Sequence, residues 1–303
     1  MGSINSRPEN SPYDLDNQSA YLAWREWKLA NAPRSADELV VQVEHPGHLS
    51  PAEREALLAR CRTCNMVIYQ SSEREADKEI VHRVGRQFRL ENLDANWLAG
   101  EDGVSEIAVS AGEPRQSYIP YTNRPIKWHT DGYYNPYDRR IRAMLLHCVS
   151  NAAQGGENRL MDHEIAYLLL RDENPDFIRA LIASDAMTIP ERTDEDGVAR
   201  AAQTGPVFSM DAMGNLHMRY TARTRSIEWK QNETTLAAVA CLEKILSSDS
   251  PYIYRTMLKP GMGLLCNNVL HDRSEFIDAD EHRRLLYRAR YFDRIEGTSL
   301  RPA

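Results

Sequence analysis

The amino-acid sequence predicts a mainly β protein with flanking helices, folded around a sandwich or jelly-roll core. Three observations carry this expectation. After residue 105, short apolar runs follow one another closely (SEIAVS, RAMLLHCV, VFSM, LHMRY, YIYRTML, GLLCNNVL, RRLLYRARYF), as in antiparallel β architectures. Helical periodicity interrupts them near 163–183 and 232–247, so strands and helices do not alternate as a parallel α/β sheet requires. No internal repeat or long linker divides the chain, and residues 36–303 therefore read as a single domain.

Residues 1–35 read as an N-terminal arm, polar apart from Tyr21, Leu22, Trp24, Trp27 and Leu29, which are spaced as an apolar stripe on a short helix. Such a stripe packs on its own domain or makes a subunit contact, and the second use would give a homo-oligomer, a dimer or tetramer. ELVVQV then reads as a strand. Ser50-Pro51-Ala52-Glu53 supplies a capping box with proline at the first helical position, opening a helix through Arg60. MVIYQ reads as a buried strand and READKEIVHRVGRQF as an amphipathic helix.

Composition narrows the function. A net charge of −7 lacks the basic footprint of a nucleic-acid binder. No run of 18 apolar residues and no signal-peptide pattern stands in the sequence; the expectation is a cytoplasmic protein with no membrane contact. The five cysteines (Cys61, Cys64, Cys148, Cys241, Cys266) show no disulfide framework, and Cys61-x-x-Cys64 has no second pair to complete a metal site. Tyrosine outnumbers phenylalanine 14 to 5, which suits a pocket whose rings also hydrogen-bond.

Three segments carry chemistry. In Trp128-His129-Thr130-Asp131, residues i and i+2 of an extended chain point to one side, so His129 and Asp131 can converge. An imidazole and a carboxylate are two parts of a facial metal triad, and a salt-bridged surface pair is the other reading. His271 closes the apolar run GMGLLCNNVL, at a strand tip. In HRRLLYRARYFD, alternation places Arg284, Leu286, Arg288 and Arg290 on one face and Leu285, Tyr287, Ala289 and Tyr291 on the other. Arginines inside a barrel require an anion; on an edge strand they would sit in solvent.

The order His-x-Asp, His, then Arg thirteen residues later resembles the iron(II)/2-oxoglutarate oxygenases of the taurine dioxygenase and γ-butyrobetaine hydroxylase group. YTNRPIKWHTDGYY, GGENRLMDH and NNVLHDRSEF are similar to local stretches of that group, whereas Cys266-Asn267-Asn268 replaces its usual Asp-Asn. The resemblance implies a double-stranded β-helix, with Fe(II) held by His129, Asp131 and His271. It also implies that Arg284 binds the distal carboxylate of the co-substrate 2-oxoglutarate, with Asn158 as a second contact, and that O2 is consumed. Hydroxylation of a small molecule with release of succinate and CO2 would follow. For the substrate, Tyr121 matches a tyrosine of a trimethylammonium cage, with Tyr133 close by, while Arg288 sits where relatives hold an anionic head group. A small anionic or zwitterionic substrate satisfies both. The competing readings are a cupin-type enzyme using another metal without 2-oxoglutarate, and a non-catalytic jelly-roll binding or sensor protein.

Overall fold

Two β-sheets face each other across a shared apolar layer, and helices cover both outer faces. The computed structural model describes residues 11–74, 76–95, 100, 102–110, 118–194 and 197–300; the first ten residues of the arm lie outside it.

The larger sheet runs in the order β1 (Val40–Gln42), β2 (Met66–Gln70), β16 (Met262–Cys266), β5 (Ala143–Ser150), β19 (Leu285–Tyr291), β3 (Ser105–Ile107). All its pairings are antiparallel except β1 with β2. The facing sheet runs β15 (Tyr254–Thr256), β7 (Asn158–Met161), β17 (Leu270–Arg273), β4 (Ile126–His129). Smaller pairings extend this core: β18 (Phe276–Ile277) with β6 (Gln154–Gly155), and β12 (Phe208–Met210) with β13 (Leu216–Met218). Two more add β8 (Met187–Ile189), flanked by β11 (Gln203–Gly205) and β14 (Glu228–Trp229), and the hairpin of β9 (Arg192–Asp194) with β10 (Gly197–Arg200). The mainly β, jelly-roll expectation holds.

Alternation on β19 works as its sequence indicates. Leu286 joins Met144, Leu146, Leu264 and Cys266 between the sheets, while Tyr287, Ala289 and Tyr291 point outward. The outward set is covered by α2 (Pro51–Cys64) and α3 (Glu79–Gln87). Helix α2 carries the capping box of Ser50 and Glu53 and ends on Asn65 in the left-handed region at φ 60°. Cys61 and Cys64 are free, buried thiols at this helix-to-strand junction, and burial raises both pKa values.

The outer face of the smaller sheet is covered by α4 (His163–Glu173), α5 (Pro175–Leu181) and α6 (Glu233–Ser247). The helical stretch expected at 163–183 is two helices, because Pro175 cannot continue the first and Asn174 caps the second. Two strand boundaries also differ from expectation. ELVVQV opens with a 3-10 turn, Ala36–Leu39. GLLCNNVL is two strands, since Asn268 adopts φ 51° and breaks the run into β16 and β17, which enter different sheets.

In the arm, α1 (Gln18–Ala30) turns Tyr21 and Trp24 into the core against α4 and leaves Leu22 and Trp27 half in solvent. Its most consequential residue is Lys28, fully buried between Asp162, at 2.6 Å, and Glu164. Burial opposes the charge on Glu164, but Lys28 above all holds this carboxyl down to about 2. The pair therefore contributes stability in full above about pH 4.5 and loses it as pH falls toward 2. We expect Lys28→Met, which strands two buried carboxylates, to destabilise the protein by about 3–5 kcal/mol. Thermal denaturation at neutral pH measures this, and the deficit should narrow in acid; an unchanged midpoint would show that the cluster is not coupled to folding.

Candidate metal centre and active site

β4 and β17 are antiparallel neighbours, and their register sets His129 directly opposite His271. The two imidazoles stand 4.2 Å apart between ring centroids. Asp131 follows β4 by two residues, and the ligand atoms of His129, Asp131 and His271 all lie within 4.8 Å of one another. All three side chains are buried.

Orientation is fixed by backbone. Nδ1 of His129 is 2.9 Å from the Lys127 carbonyl and Nδ1 of His271 is 2.9 Å from the Val269 carbonyl. Each Nδ1 therefore carries the proton and donates it, which leaves Nε2 with its lone pair toward the triad. Burial, then the neighbouring His129, pulls the His271 pKa down to about 4, so its imidazole is neutral at physiological pH. On Asp131, burial would raise the pKa, but the charges of Arg288 and then Arg290 hold it well below the usual carboxylate range. Its Oδ1 faces Arg288 at 3.3 Å, and its buried Oδ2 has no hydrogen-bond partner. Two imidazoles and an ionised carboxylate with an uncommitted oxygen match a divalent metal of intermediate softness.

Asn268, which sequence reasoning did not single out, locks Asp131 in place. Its Oδ1 accepts from the Asp131 N–H at 2.8 Å, and its Nδ2 donates to the Asp131 carbonyl at 2.9 Å and the Ile141 carbonyl at 2.8 Å. The adjacent Asn267 ties the same turn to Asn65 and Thr298.

Arg284 stands just before β19, buried, with Nη1 unpartnered. Burial draws its pKa down to about 10, the signature of a guanidinium with insufficient counter-charge. It shares a small cavity of about 40 Å³ with His129, His271 and Asn158. The Gly155-Gly156 turn makes room for it: a Cβ on Gly156 would lie 3.4 Å from Arg284 Nε. Asn158 lies in this wall, but its Nδ2 is committed to the Asp272 carbonyl at 2.9 Å, and the buried Oδ1 is left without a partner.

A second, larger cavity of about 670 Å³ opens from His129 and Asp131. Tyr121, Tyr133 and Arg288 all line it. Arg290 does too, but it is committed to Asp94 at 2.6 Å and to the Tyr134 hydroxyl at 2.8 Å. Unforeseen from sequence are Arg192 and Arg200 from the β9–β10 hairpin, and Arg223 and Arg225 from the segment after β13. TAR-T-R at 221–225 was a visible basic cluster, yet exposed arginines on loops are usually solvated.

Fold and side chains together define a jelly roll with a facial set of two histidines and one carboxylate. The family model for taurine catabolism dioxygenase TauD, TfdA family, matches residues 32–290, and the chain belongs to that family. Iron(II), 2-oxoglutarate and dioxygen are the reactants of the family. Among characterised relatives, uridine-5'-phosphate dioxygenase from Amycolatopsis is 31% identical over 169 residues, 54% of this chain and 60% of the relative. The Streptomyces protein of the same name is 30% identical over 181 residues, 56% of this chain and 62% of the relative. The chain thus spans less than two thirds of these relatives' length. Among solved structures, the non-heme iron oxygenase OrfP in complex with Fe and alpha-ketoglutaric acid superposes with TM-score 0.59 at 15% identity, covering 90% of this chain and 92% of OrfP. A taurine dioxygenase from Burkholderia xenovorans gives 0.57 at 16% identity, over 86% and 89% of the two chains. At these identities the likeness is one of fold. Among the described residues, no helix is long and apolar enough to cross a membrane.

Asn268→Ala removes both bonds that fix the Asp131 backbone. We expect iron(II) affinity to fall ten- to a hundredfold, as is typical when the partner of a ligand is lost. Anaerobic iron(II) titration checks this, and unaltered affinity would remove Asn268 from the metal-positioning set.

Proposed function

We propose that this chain is an iron(II)- and 2-oxoglutarate-dependent dioxygenase acting on a small anionic substrate, with succinate and carbon dioxide as co-products. The carrying observation is that His129, Asp131 and His271 converge within 4.8 Å while an unneutralised arginine, Arg284, is buried in the cavity beside them. His129, Asp131 and His271 hold the metal through Nε2, the free carboxylate oxygen and Nε2. Bound together, iron and 2-oxoglutarate supply the power to activate dioxygen and oxidise a substrate C–H bond. Arg284 gives the distal carboxylate of 2-oxoglutarate two parallel hydrogen bonds, and that carboxylate supplies the counter-charge Arg284 lacks. Asn158 lines this subsite; one of its two amide N–H groups is used on the Asp272 carbonyl, which leaves the other as a second contact to the co-substrate.

The larger cavity is the substrate site, with Tyr121, Tyr133 and Arg288 on its wall. Charge decides between the two substrate signals. Seven cationic side chains line this cavity against the carboxylates of Asp131 and Glu191. Tyrosine faces that could cage a trimethylammonium group already carry guanidinium groups: Arg192 lies 4.5 Å from the Tyr118 ring and Arg200 5.5 Å from the Tyr134 ring. A quaternary amine would be repelled; an anion is favoured. The relatives in Amycolatopsis and Streptomyces are named for uridine-5'-phosphate, an anion of this kind, and a phosphorylated small molecule is the substrate class we assign.

Anaerobic addition of iron(II) and 2-oxoglutarate should produce a weak visible charge-transfer band. The band separates this reading from a cupin-type enzyme or a sensor without 2-oxoglutarate. Arg284→Met should weaken 2-oxoglutarate binding on the order of a hundredfold, since truncating one partner of a buried charge pair costs about 2–5 kcal/mol, while iron(II) binding persists. A band of wild-type strength at low 2-oxoglutarate in Arg284→Met would show that the co-substrate lies elsewhere.

A further inference from the structure

We infer that Arg192, Arg200, Arg223 and Arg225 form the subsite that holds the phosphate group of the substrate. The inference deepens the proposed function, because it places the recognised anion in the same cavity as the metal triad. Arg192 and Arg200 come from the facing strands β9 and β10; Arg223 and Arg225 come from the connection between β13 and β14. Two separate segments thus direct four guanidinium groups to one cavity of about 670 Å³ that also contains His129 and Asp131. That volume lies within the range of sites for small ligands.

Partnering separates these four from the other arginines of the cavity. Arg288 faces Asp131 at 3.3 Å and Arg290 faces Asp94 at 2.6 Å, so the charge of each is compensated. Among the residues whose side chains are described, no carboxylate forms an ion pair with Arg192, Arg200, Arg223 or Arg225. Glu191 is the one acid on their part of the wall among the residues whose side chains are described, and it is exposed. Arg200 is half-buried, donates to the Pro190 carbonyl at 2.6 Å and lies over Tyr134. Arg192 lies over Tyr118 and bonds its hydroxyl. Ring contact holds a guanidinium plane while leaving much of its N–H edge for an incoming oxygen. The pKa of Arg200 is lowered by burial first, and Arg192 lowers it further, as expected for two like charges held close together.

Isolated exposed arginines are ordinarily solvated and need no ligand. Four lining one cavity of a chain with net charge −7 are a different matter. A carboxylate or sulfonate head group is satisfied by a single arginine fork. A phosphate monoester brings close to two charges and three acceptor oxygens, the number that a cluster of this size can use. The substrate class is therefore a phosphate monoester of nucleotide size, anchored by Arg192, Arg200, Arg223 and Arg225. On this assignment Arg288 is left to orient Asp131.

The test is calorimetric titration of the full chain with uridine 5'-monophosphate, uridine and inorganic phosphate, without iron and with it. Variants are Arg192→Ala/Arg200→Ala, Arg223→Ala/Arg225→Ala and Arg288→Ala, with folding checked by circular dichroism. We expect the monophosphate to bind at least tenfold more tightly than uridine, with an affinity that falls as salt rises. At least one arginine pair should lose tenfold or more in affinity for the monophosphate, with uridine binding unaltered. Competition by inorganic phosphate alone, at a similar affinity, would locate recognition in the phosphate and support the subsite. Equal binding of nucleotide and nucleoside, no binding of any probe, or loss confined to Arg288→Ala would each overturn it. The iron(II)/2-oxoglutarate band is recorded on the same samples: its absence defeats the dioxygenase reading, whereas phosphate binding without iron tests the arginines independently.

Discussion

The site depends on a single backbone event, the left-handed turn at Asn268. A continuous strand through residues 262–273 would stay in one sheet, and alternation alone would decide which side chains entered the interior. At φ 51° the chain instead leaves the larger sheet after Cys266 and enters the smaller one at Leu270. The turn does three things at once. It places His271 opposite His129 across β4 and β17, it points the Asn268 amide at both backbone groups of Asp131, and it leaves Asn267 to anchor the turn to Asn65 and Thr298. Asparagine is among the few residues that tolerate this conformation, and its side-chain amide is what Asp131 requires.

The second organising constraint is the pairing of buried charge. Lys28 answers Asp162 and Glu164, Arg290 answers Asp94, and Arg159 answers Asp272, which lies next to His271. Against that background the uncompensated groups stand out. Arg284, the Asp131 Oδ2 and the four arginines of the larger cavity are sites where the chain holds charge or a lone pair in place without satisfying it internally. Groups left this way beside the triad are positions where a ligand can supply what the chain does not. Arg273, by contrast, is buried and satisfied by the Thr122 carbonyl at 2.8 Å and by that of Arg124. It steadies the segment carrying Tyr121, and an unpaired charge by count alone would have misled.

What was legible in the sequence followed from local rules. Period-two alternation on β19 sorted its residues correctly to two faces, and the capping box located α2. The i, i+2 spacing of His129 and Asp131 placed them on one side of an extended chain, and the structure brings them together with His271. The misses share a cause: they depend on how distant segments meet. Arg192, Arg200, Arg223 and Arg225 carry no sequence signal of their own, because nothing local says that they share a wall with residue 129. Asn267-Asn268 was a visible polar break in the run 263–270, but the left-handed backbone at Asn268 and its reach to Asp131 are set by tertiary structure. The aromatic stripe of α1 was undecided between packing and subunit contact, and it divides: Tyr21 and Trp24 are buried, while Leu22 and Trp27 are not.

The distribution of charge is what separates chemistry from recognition here. Electrostatics at the triad is local and short-ranged: the neutral imidazole of His271, one ionised carboxylate, and Arg288 against it at 3.3 Å. Electrostatics of the larger cavity is collective, with positive charge facing open space in a chain that is acidic overall. A cleft of one sign with low-dielectric walls focuses its field and draws in ligands of the opposite sign. The two systems also come from different parts of the fold. Triad positions lie on or beside core strands β4 and β17, where register is fixed by the sheet. The four arginines lie on a hairpin and a connection outside both main sheets. A jelly roll built this way can exchange the anion it recognises by altering those two segments, without disturbing the strands that place His129, Asp131 and His271.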